Sequence, residues 1–203
     1  MYKDKLIKQI PNLLTMTNML FGLTAIMILM RTDFYNKELT AVALIIFGGV
    51  IDFFDGYLAR KLDAVTELGK QLDSFADLVT FGIAPVCLVH YLTLCGHSIF
   101  ITFLSLVFPI AGIYRLARYN INDFNNYFMG LPITAAGMLL AVYCAIHTQL
   151  AYHLRHHAAF VVITIVFIFL LSVLMVSRVK VKRLLFLNQN GRESDIETDS
   201  FTD

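Results

Sequence analysis

The chain has 203 residues, of which 58% are hydrophobic and 15% are charged, with a formal net charge of +1. Soluble domains carry roughly 25% charged residues, so this composition excludes an ordinary soluble protein and indicates a polytopic membrane protein. The near-zero net charge gives no basis for a nucleic-acid partner, and in a membrane protein the placement of basic residues matters more than their sum.

Six apolar segments are long enough for transmembrane helices, each of which needs about 20 mostly apolar residues. We expect these helices at about 13–30, 39–57, 72–94, 99–118, 133–150 and 158–177. The predicted fold is therefore all-α, with six transmembrane helices. The first segment shows no clear small-residue cleavage site, so we interpret it as a retained helix rather than a removed signal peptide.

The two ends of the chain differ from these spans. Residues 1–10 (MYKDKLIKQI) predict a short amphipathic helix on the membrane surface, with a plain solvated stub as the alternative. After Asn188 the sequence becomes polar and acidic, which indicates a disordered tail. We therefore expect a membrane domain over residues 1–187 and an acidic tail over residues 188–203.

Basic residues fall mainly on one side of the predicted spans. They precede the first span, lie between the second and third, end the fourth and follow the sixth, whereas the opposite loops hold only Arg31, Lys37 and Arg155. The excess of basic residues on the cytoplasmic side of membrane proteins then predicts that both termini are cytoplasmic. We expect a multi-pass protein of the cell (inner) membrane.

The second and third spans contain four aspartates in otherwise apolar surroundings. An ionisable side chain inside a transmembrane segment costs roughly 2.5 kcal/mol or more, so a functional site is the default interpretation. With its neighbours the pattern is Asp52-x2-Asp55-Gly56-x2-Ala59-Arg60-x8-Gly69-x3-Asp73-x3-Asp77.

This pattern resembles the signature of the CDP-alcohol phosphotransferases, a family of integral membrane enzymes. All eight fixed positions of the signature are present. The resemblance implies a metal-dependent transfer from a CDP-linked donor such as CDP-diacylglycerol, with an active site that faces the cytoplasm. It also implies a homodimer in the lipid bilayer.

The spacing of the aspartates predicts a single carboxylate cluster. Asp52 and Asp55 are three residues apart and Asp73 and Asp77 four apart, so each pair shares one helical face. Because the two helices run in opposite directions, Asp52 and Asp77 should both lie about 12 Å below their helix ends, and we expect all four carboxylates to meet at one depth. Carboxylates and a substrate diphosphate suit Mg²⁺ or Mn²⁺, and charge counting favours two divalent cations.

Two alternatives remain for intramembrane aspartates. The carboxylates could pair with Arg60, Lys61 and Lys70 in a structural ion network, or they could line a proton or ion path. A divalent-ion transporter is the alternative of a different class, but it would not require Gly56 and Ala59 beside the arginine.

The resemblance also assigns residues to the nucleotide and the diphosphate. Arg60 can bind a phosphate through two hydrogen bonds, and the two small residues leave room for a nucleobase or ribose. The alternatives are an orientation anchor for the arginine, helix packing for the two small residues and a solvated loop position for Thr66. Pro11 and Asn12 could instead be only a helix start. The assigned residues are Asn12, Thr15, Gly56, Ala59, Arg60 and Thr66.

Other segments must select the acceptor alcohol, because the signature fixes only the donor class. Residues 72–85, 114–120 and 128–132 resemble the bacterial phosphatidylserine synthases, a branch of this family. The resemblance therefore implies transfer of the phosphatidyl group from CDP-diacylglycerol to L-serine, with phosphatidylglycerophosphate or phosphatidylinositol-phosphate synthesis as the alternative.

Two further roles concern the acceptor. Arg115 and Arg118 lie three apart on one helical face and are predicted to hold the serine carboxylate, with a membrane-anchoring pair as the alternative. The resemblance gives Asp77 the role of general base for the serine hydroxyl, while it also contacts a metal ion.

Overall fold

The computed structural model describes residues 9–31, 33, 35–62, 64–93, 99–121, 128–150, 158–177 and 180–181. In these ranges the protein is a helical bundle, which confirms the all-α prediction. The helices are α1 (Ile10–Met30), α2 (Lys37–Lys61), α3 (Glu67–Asp77), a π-helical segment (Leu78–Ile83), α4 (Ala84–Thr93), α5 (Ile99–Ser105), α6 (Val107–Ile121), α7 (Ile133–Leu150) and α8 (Ala158–Val176). Two short strands, β1 (Phe128–Met129) and β2 (Lys180–Val181), pair in antiparallel fashion.

The membrane character of the chain is visible in the lengths of these helices. Four helical stretches are long and apolar enough to cross a membrane, namely Ile10–Met30, Lys37–Lys61, Glu67–Thr93 and Ile101–Asn120. Shorter apolar stretches occupy the positions of the fifth and sixth predicted spans, at Ile133–Gln149 and Val161–Val176. A multi-pass membrane protein is therefore confirmed. The predicted surface helix, apart from its last two residues, and the predicted acidic tail lie outside the described residues.

The third span begins earlier than the sequence predicts. It starts at Glu67 rather than near residue 72, because the Thr66 hydroxyl accepts a hydrogen bond from the Gly69 amide (3.0 Å). Such an N-cap satisfies one of the free amides at the start of a helix. The helix then continues to Thr93 through the π-helical segment, which begins directly after Asp77.

The π-helical segment is packed tightly by neighbouring helices. The Thr80 hydroxyl donates to the Asn18 carbonyl of α1 (3.0 Å), and Phe81 is fully buried. A Cβ atom on Gly137 of α7 would overlap the Phe81 backbone, and one on Gly22 of α1 would lie 2.7 Å from the Thr80 Cα. Small residues allow such close backbone contact between membrane helices. Both α1 and α7 therefore fix this segment.

The fourth predicted span is two helices rather than one. Helix α5 ends at Ser105 and α6 begins at Val107, with a turn at Leu106. Pro109 has no amide hydrogen, so the Ser105 carbonyl cannot receive the usual hydrogen bond from four residues ahead. The Leu106 amide instead closes a tighter turn onto the Phe103 carbonyl (3.2 Å).

The apolar core lies between the helices, while large apolar side chains also cover the outside. The largest buried apolar side chains are Ile45, Phe81, Leu88, Leu92, Phe108, Ile133, Leu140 and Met175. Helices α1 and α8 also present large exposed apolar residues, among them Leu13, Leu20, Met27, Val162, Val166 and Phe169. An extended apolar exterior of this kind is what lipid contact requires.

Candidate active site

The four predicted aspartates lie together between α2 and α3. One carboxylate oxygen from each of Asp52, Asp55 and Asp73 lies within 4.8 Å of the others. The carboxyl group of Asp77 is in hydrogen-bonding contact with that of Asp52, and its Oδ1 atom is buried without a hydrogen-bond partner. The structure therefore brings all four side chains into one cluster.

The cluster has two layers rather than a single depth. Counted at 1.5 Å per residue from the helix ends that meet at residues 62–66, Asp55 and Asp73 lie roughly 9 Å inside their helices. On the same count, Asp52 and Asp77 lie roughly 14 Å inside. One carboxylate from each helix thus contributes to each layer.

This donor set suits hard divalent cations. Carboxylate oxygens are the ligands that Mg²⁺ and Mn²⁺ prefer. The carboxylates of the half-buried Asp52 and the buried Asp77 are in contact and must share a proton or a cation, because two unscreened negative charges repel. The unpartnered Oδ1 of Asp77 likewise needs a positive or hydrogen-bonding partner. The cluster can therefore hold metal ions.

Helix α1 contributes to the site through Thr15. Its buried hydroxyl lies 2.9 Å from Asp55 Oδ2 and 3.1 Å from the Pro11 carbonyl, so its single hydrogen can be donated to either acceptor, with the carboxylate the nearer one. A hydrogen bond of this kind orients a carboxylate that binds a metal ion. Thr15 is thus tied to a predicted metal ligand, and its contact with a nucleotide stays a prediction.

Two cavities flank the aspartate cluster, a small cavity of about 250 Å³ and a large cavity of about 510 Å³. The small cavity lies toward α1 and toward the turn between α2 and α3. Gly56 lines both cavities, and apart from its chain neighbours and the surrounding α2 backbone nothing lies within 4 Å of the position that a Cβ atom would take there. All six residues assigned to the nucleotide and diphosphate line the small cavity, namely Asn12, Thr15, Gly56, Ala59, Arg60 and Thr66.

Of the two arginines predicted to hold the serine carboxylate, Arg115 lines the large cavity and Arg118 does not. Arg115 lines it together with Asp52 and Asp77, is only 7% exposed, and its Nε atom has no hydrogen-bond partner. Arg118 is not among the residues that line this cavity, and its guanidinium donates to the Val176 carbonyl at the end of α8 (3.3 Å). A carboxylate bound in the cavity would therefore meet Arg115.

Two residues that the sequence did not single out also line the large cavity. The Asn120 amide donates to the Ser74 hydroxyl (3.0 Å), which links α6 to α3 across a sequence separation of 46 residues. The sequence offered one indication of their importance. Ser74 lies in residues 72–85 and Asn120 in residues 114–120, two of the segments that resemble the bacterial phosphatidylserine synthases.

The family follows from a comparison of the whole sequence. The sequence profile of the family described as CDP-alcohol phosphatidyltransferase matches residues 8–173. The chain belongs to this family. The matched range of this CDP-alcohol phosphatidyltransferase includes every residue that lines either cavity.

Three curated relatives of this phosphatidyltransferase carry the same enzyme name. The CDP-diacylglycerol–serine O-phosphatidyltransferase of Bacillus subtilis is 42% identical over 134 residues, which cover 66% of this chain and 73% of the relative. The enzyme of that name from Methanocaldococcus jannaschii is 35% identical over 144 residues, covering 71% of this chain and 64% of the relative. The one from Helicobacter pylori is 31% identical over 173 residues, covering 84% and 70%.

Proposed function

We propose that this CDP-alcohol phosphatidyltransferase transfers the phosphatidyl group of CDP-diacylglycerol to L-serine and releases CMP. The observation that carries the proposal is the placement of Arg115, buried and with an unpartnered Nε atom, in the same cavity as the aspartate cluster. A guanidinium matches the carboxylate of serine through paired hydrogen bonds. The relatives named CDP-diacylglycerol–serine O-phosphatidyltransferase support the same acceptor.

The aspartate cluster is proposed to hold two divalent cations, Mg²⁺ or Mn²⁺. Four carboxylates and a diphosphate of charge about −2 sum to about −6, which two divalent cations and Arg60 reduce to about −1. When bound, such cations stabilise the negative charge of the diphosphate and of the leaving group. The four aspartates are the proposed ligands: Asp52, Asp55 and Asp73 lie together, and Asp77 is in contact with Asp52.

The small cavity is proposed to bind the CDP group. Its open surface at Gly56 leaves room for the ribose or base against the α2 backbone. Arg60, at the end of α2, is placed to bind a phosphate through two hydrogen bonds. The acyl chains of CDP-diacylglycerol would remain in the bilayer, so only the headgroup must reach the cavity.

Asp77 is proposed to act as the general base in the large cavity. Its unpartnered oxygen can accept a hydrogen bond from the serine hydroxyl and then take its proton. The serine oxygen forms a bond to the β-phosphorus of CDP-diacylglycerol, and the bond from that phosphorus to the bridging oxygen breaks. CMP departs with that oxygen, and phosphatidylserine remains in the membrane.

The orientation and assembly are further proposals. Basic residues cluster at the end of the bundle that holds the site, with Arg60, Lys61 and Lys70 near the turn between α2 and α3. The bias of basic residues toward the cytoplasm then places the site and both termini on the cytoplasmic face of the inner membrane. The homodimer and the boundary between a membrane domain (1–187) and an acidic tail (188–203) stay predictions.

A panel of acceptors tests the proposed function. Purified protein with CDP-diacylglycerol and Mg²⁺ or Mn²⁺ would be given L-serine, glycerol 3-phosphate or inositol phosphate, and CMP and lipid products would be measured. We expect CMP release that depends on serine and on the metal, and is abolished by a chelator. Use of glycerol 3-phosphate but not serine would overturn the acceptor and leave the metal chemistry intact, whereas no CMP release with any alcohol would overturn the activity.

A further inference from the structure

The bond between Ser74 and Asn120 lies on the wall of the large cavity, in a position to contact the acceptor. Ser74 directly follows Asp73 on α3, and Asn120 lies at the end of α6, five residues after Arg115. Both residues are partly or fully accessible, and both line the cavity that contains Asp77. The two are not part of the family's aspartate signature.

The hydrogen bonds of Ser74 determine which way the Asn120 amide is turned. The Ser74 hydroxyl donates its one hydrogen to the Lys70 carbonyl (3.0 Å). Toward Asn120 it can therefore only accept, which places the NH₂ group of Asn120 against Ser74 (3.0 Å). The amide oxygen of Asn120 is then the atom of this pair that can accept a hydrogen bond from a ligand.

The proposed acceptor carries a group that requires such an oxygen. Serine has a carboxylate, which suits Arg115, and an ammonium group with three hydrogens to donate. Arg115 and Asn120 are five positions apart on α6, and both residues line the same cavity of about 510 Å³. A cavity of this size has room for an amino acid whose carboxylate meets the arginine and whose ammonium group meets the amide.

We propose that the Asn120 amide oxygen, oriented by Ser74, accepts a hydrogen bond from the ammonium group of the acceptor. This inference rests on the proposed transfer to serine, and it assigns to Asn120 a role in making that transfer specific for an acceptor with an amine. An acceptor without the amine, such as glycerol 3-phosphate, would leave the amide oxygen without its partner. Sites built to hydrogen-bond a polar group discriminate strongly against analogues that lack it.

Kinetic comparison of two ligands tests this role. L-serine carries the amine, whereas 3-hydroxypropionate is the same molecule without it. In Asn120→Leu, which keeps the approximate size and removes the amide, the KM for L-serine should rise roughly tenfold, since hydrogen bonds to charged groups are the stronger ones. The Ki of 3-hydroxypropionate as an inhibitor should stay within about twofold of wild type.

Two further variants control for a structural role. Ser74→Ala removes the hydroxyl that orients the Asn120 amide and keeps the amide itself. The KM for L-serine should therefore rise by a smaller factor than in Asn120→Leu, and the Ki of 3-hydroxypropionate should again stay close to wild type. Thr24→Val alters a threonine of α1 that has an exposed hydrogen bond and lines neither cavity, and it should leave both constants unchanged. Equal changes in the serine KM and the inhibitor Ki, or a loss of kcat alone, would overturn the proposal and make the Ser74–Asn120 bond a tie between helices. If wild-type protein does not use serine at all, the proposed function fails before any variant is compared.

Discussion

The two halves of the third span perform different tasks although they belong to one continuous helix. In the first half, Glu67–Asp77, only Ala76 and Asp77 are buried, and four polar side chains line the cavities, namely Lys70, Asp73, Ser74 and Asp77. In the second half, Leu78–Thr93, most side chains are buried among neighbouring helices, as Phe81 and Leu88 are. The half that carries the proposed reactive residues is therefore continuous with a packed half, none of whose residues lines either cavity.

The largest effect should come from the reactive half. Asp73→Asn keeps the size of a proposed metal ligand but removes its charge, so turnover should fall by about 10³-fold while the protein still inserts in the membrane. Serine-dependent CMP release measures this effect. Glu67→Gln is the control on the same helix, because its exposed pair with Lys70 (2.9 Å) is worth little. Near wild-type turnover in both Asp73→Asn and Asp52→Asn would refute the metal site.

Asp77→Asn should separate binding from chemistry. An amide cannot take the proton of the serine hydroxyl, so turnover should fall roughly 10²-fold. Binding of CDP-diacylglycerol, measured with a labelled donor in the presence of metal, should stay close to wild type. If binding and turnover were lost together, Asp77 would be an ordinary metal ligand rather than the base.

A change in the packed half should act through stability. In Gly137→Val the new side chain would overlap the Phe81 backbone, and overpacking of this kind costs about 1–3 kcal/mol. We expect a lower midpoint of thermal unfolding together with reduced activity, because the displaced segment directly follows Asp77. Leu139→Val, at an exposed position on the same helix, is the control. An unchanged midpoint would show that the π-helical segment is not held by α7.

The smallest effect concerns a single hydrogen bond in the packed half. Thr80→Val keeps the shape of the side chain but removes the donor to the Asn18 carbonyl, at a cost of about 1 kcal/mol. The thermal midpoint should fall slightly while the KM for serine stays constant. Thr17→Val removes an exposed bond within α1 and should be neutral by comparison. A change in serine KM with Thr80→Val would instead connect the packed half directly to acceptor binding.

The sequence predicts the parts of the site that depend on local spacing. Asp52 and Asp55, like Asp73 and Asp77, share a helical face because of their separation along the chain, and α2 and α3 bring the two faces together. The signature therefore identified the cluster before its geometry was known. The break at Leu106 was also within reach of the sequence, because Pro109 lies inside the apolar stretch.

Features that depend on packing between distant segments could not be predicted from the sequence. The Thr15–Asp55 bond joins residues 40 apart, and its partner could not be chosen without the arrangement of α1 against α2. No local signal marks the π-helical segment, whose position follows from contacts with both α1 and α7. The hydrogen bond from Arg118 to the Val176 carbonyl at the end of α8 was likewise not predictable, because it joins residues 58 apart in the sequence.

The pairing of β1 with β2 limits where the chain can be cut or fused for laboratory work. Phe128 and Met129 pair with Val181 and Lys180, and the Leu131 amide donates to the Leu174 carbonyl (3.1 Å). The segment that leads into α7 and the wall of the large cavity is thus fastened to the chain beyond α8. A shortened protein that stops before residue 180 would lose the pairing of β1 with β2. An affinity tag at the C-terminal end should therefore follow residue 181 if acceptor binding is to be preserved.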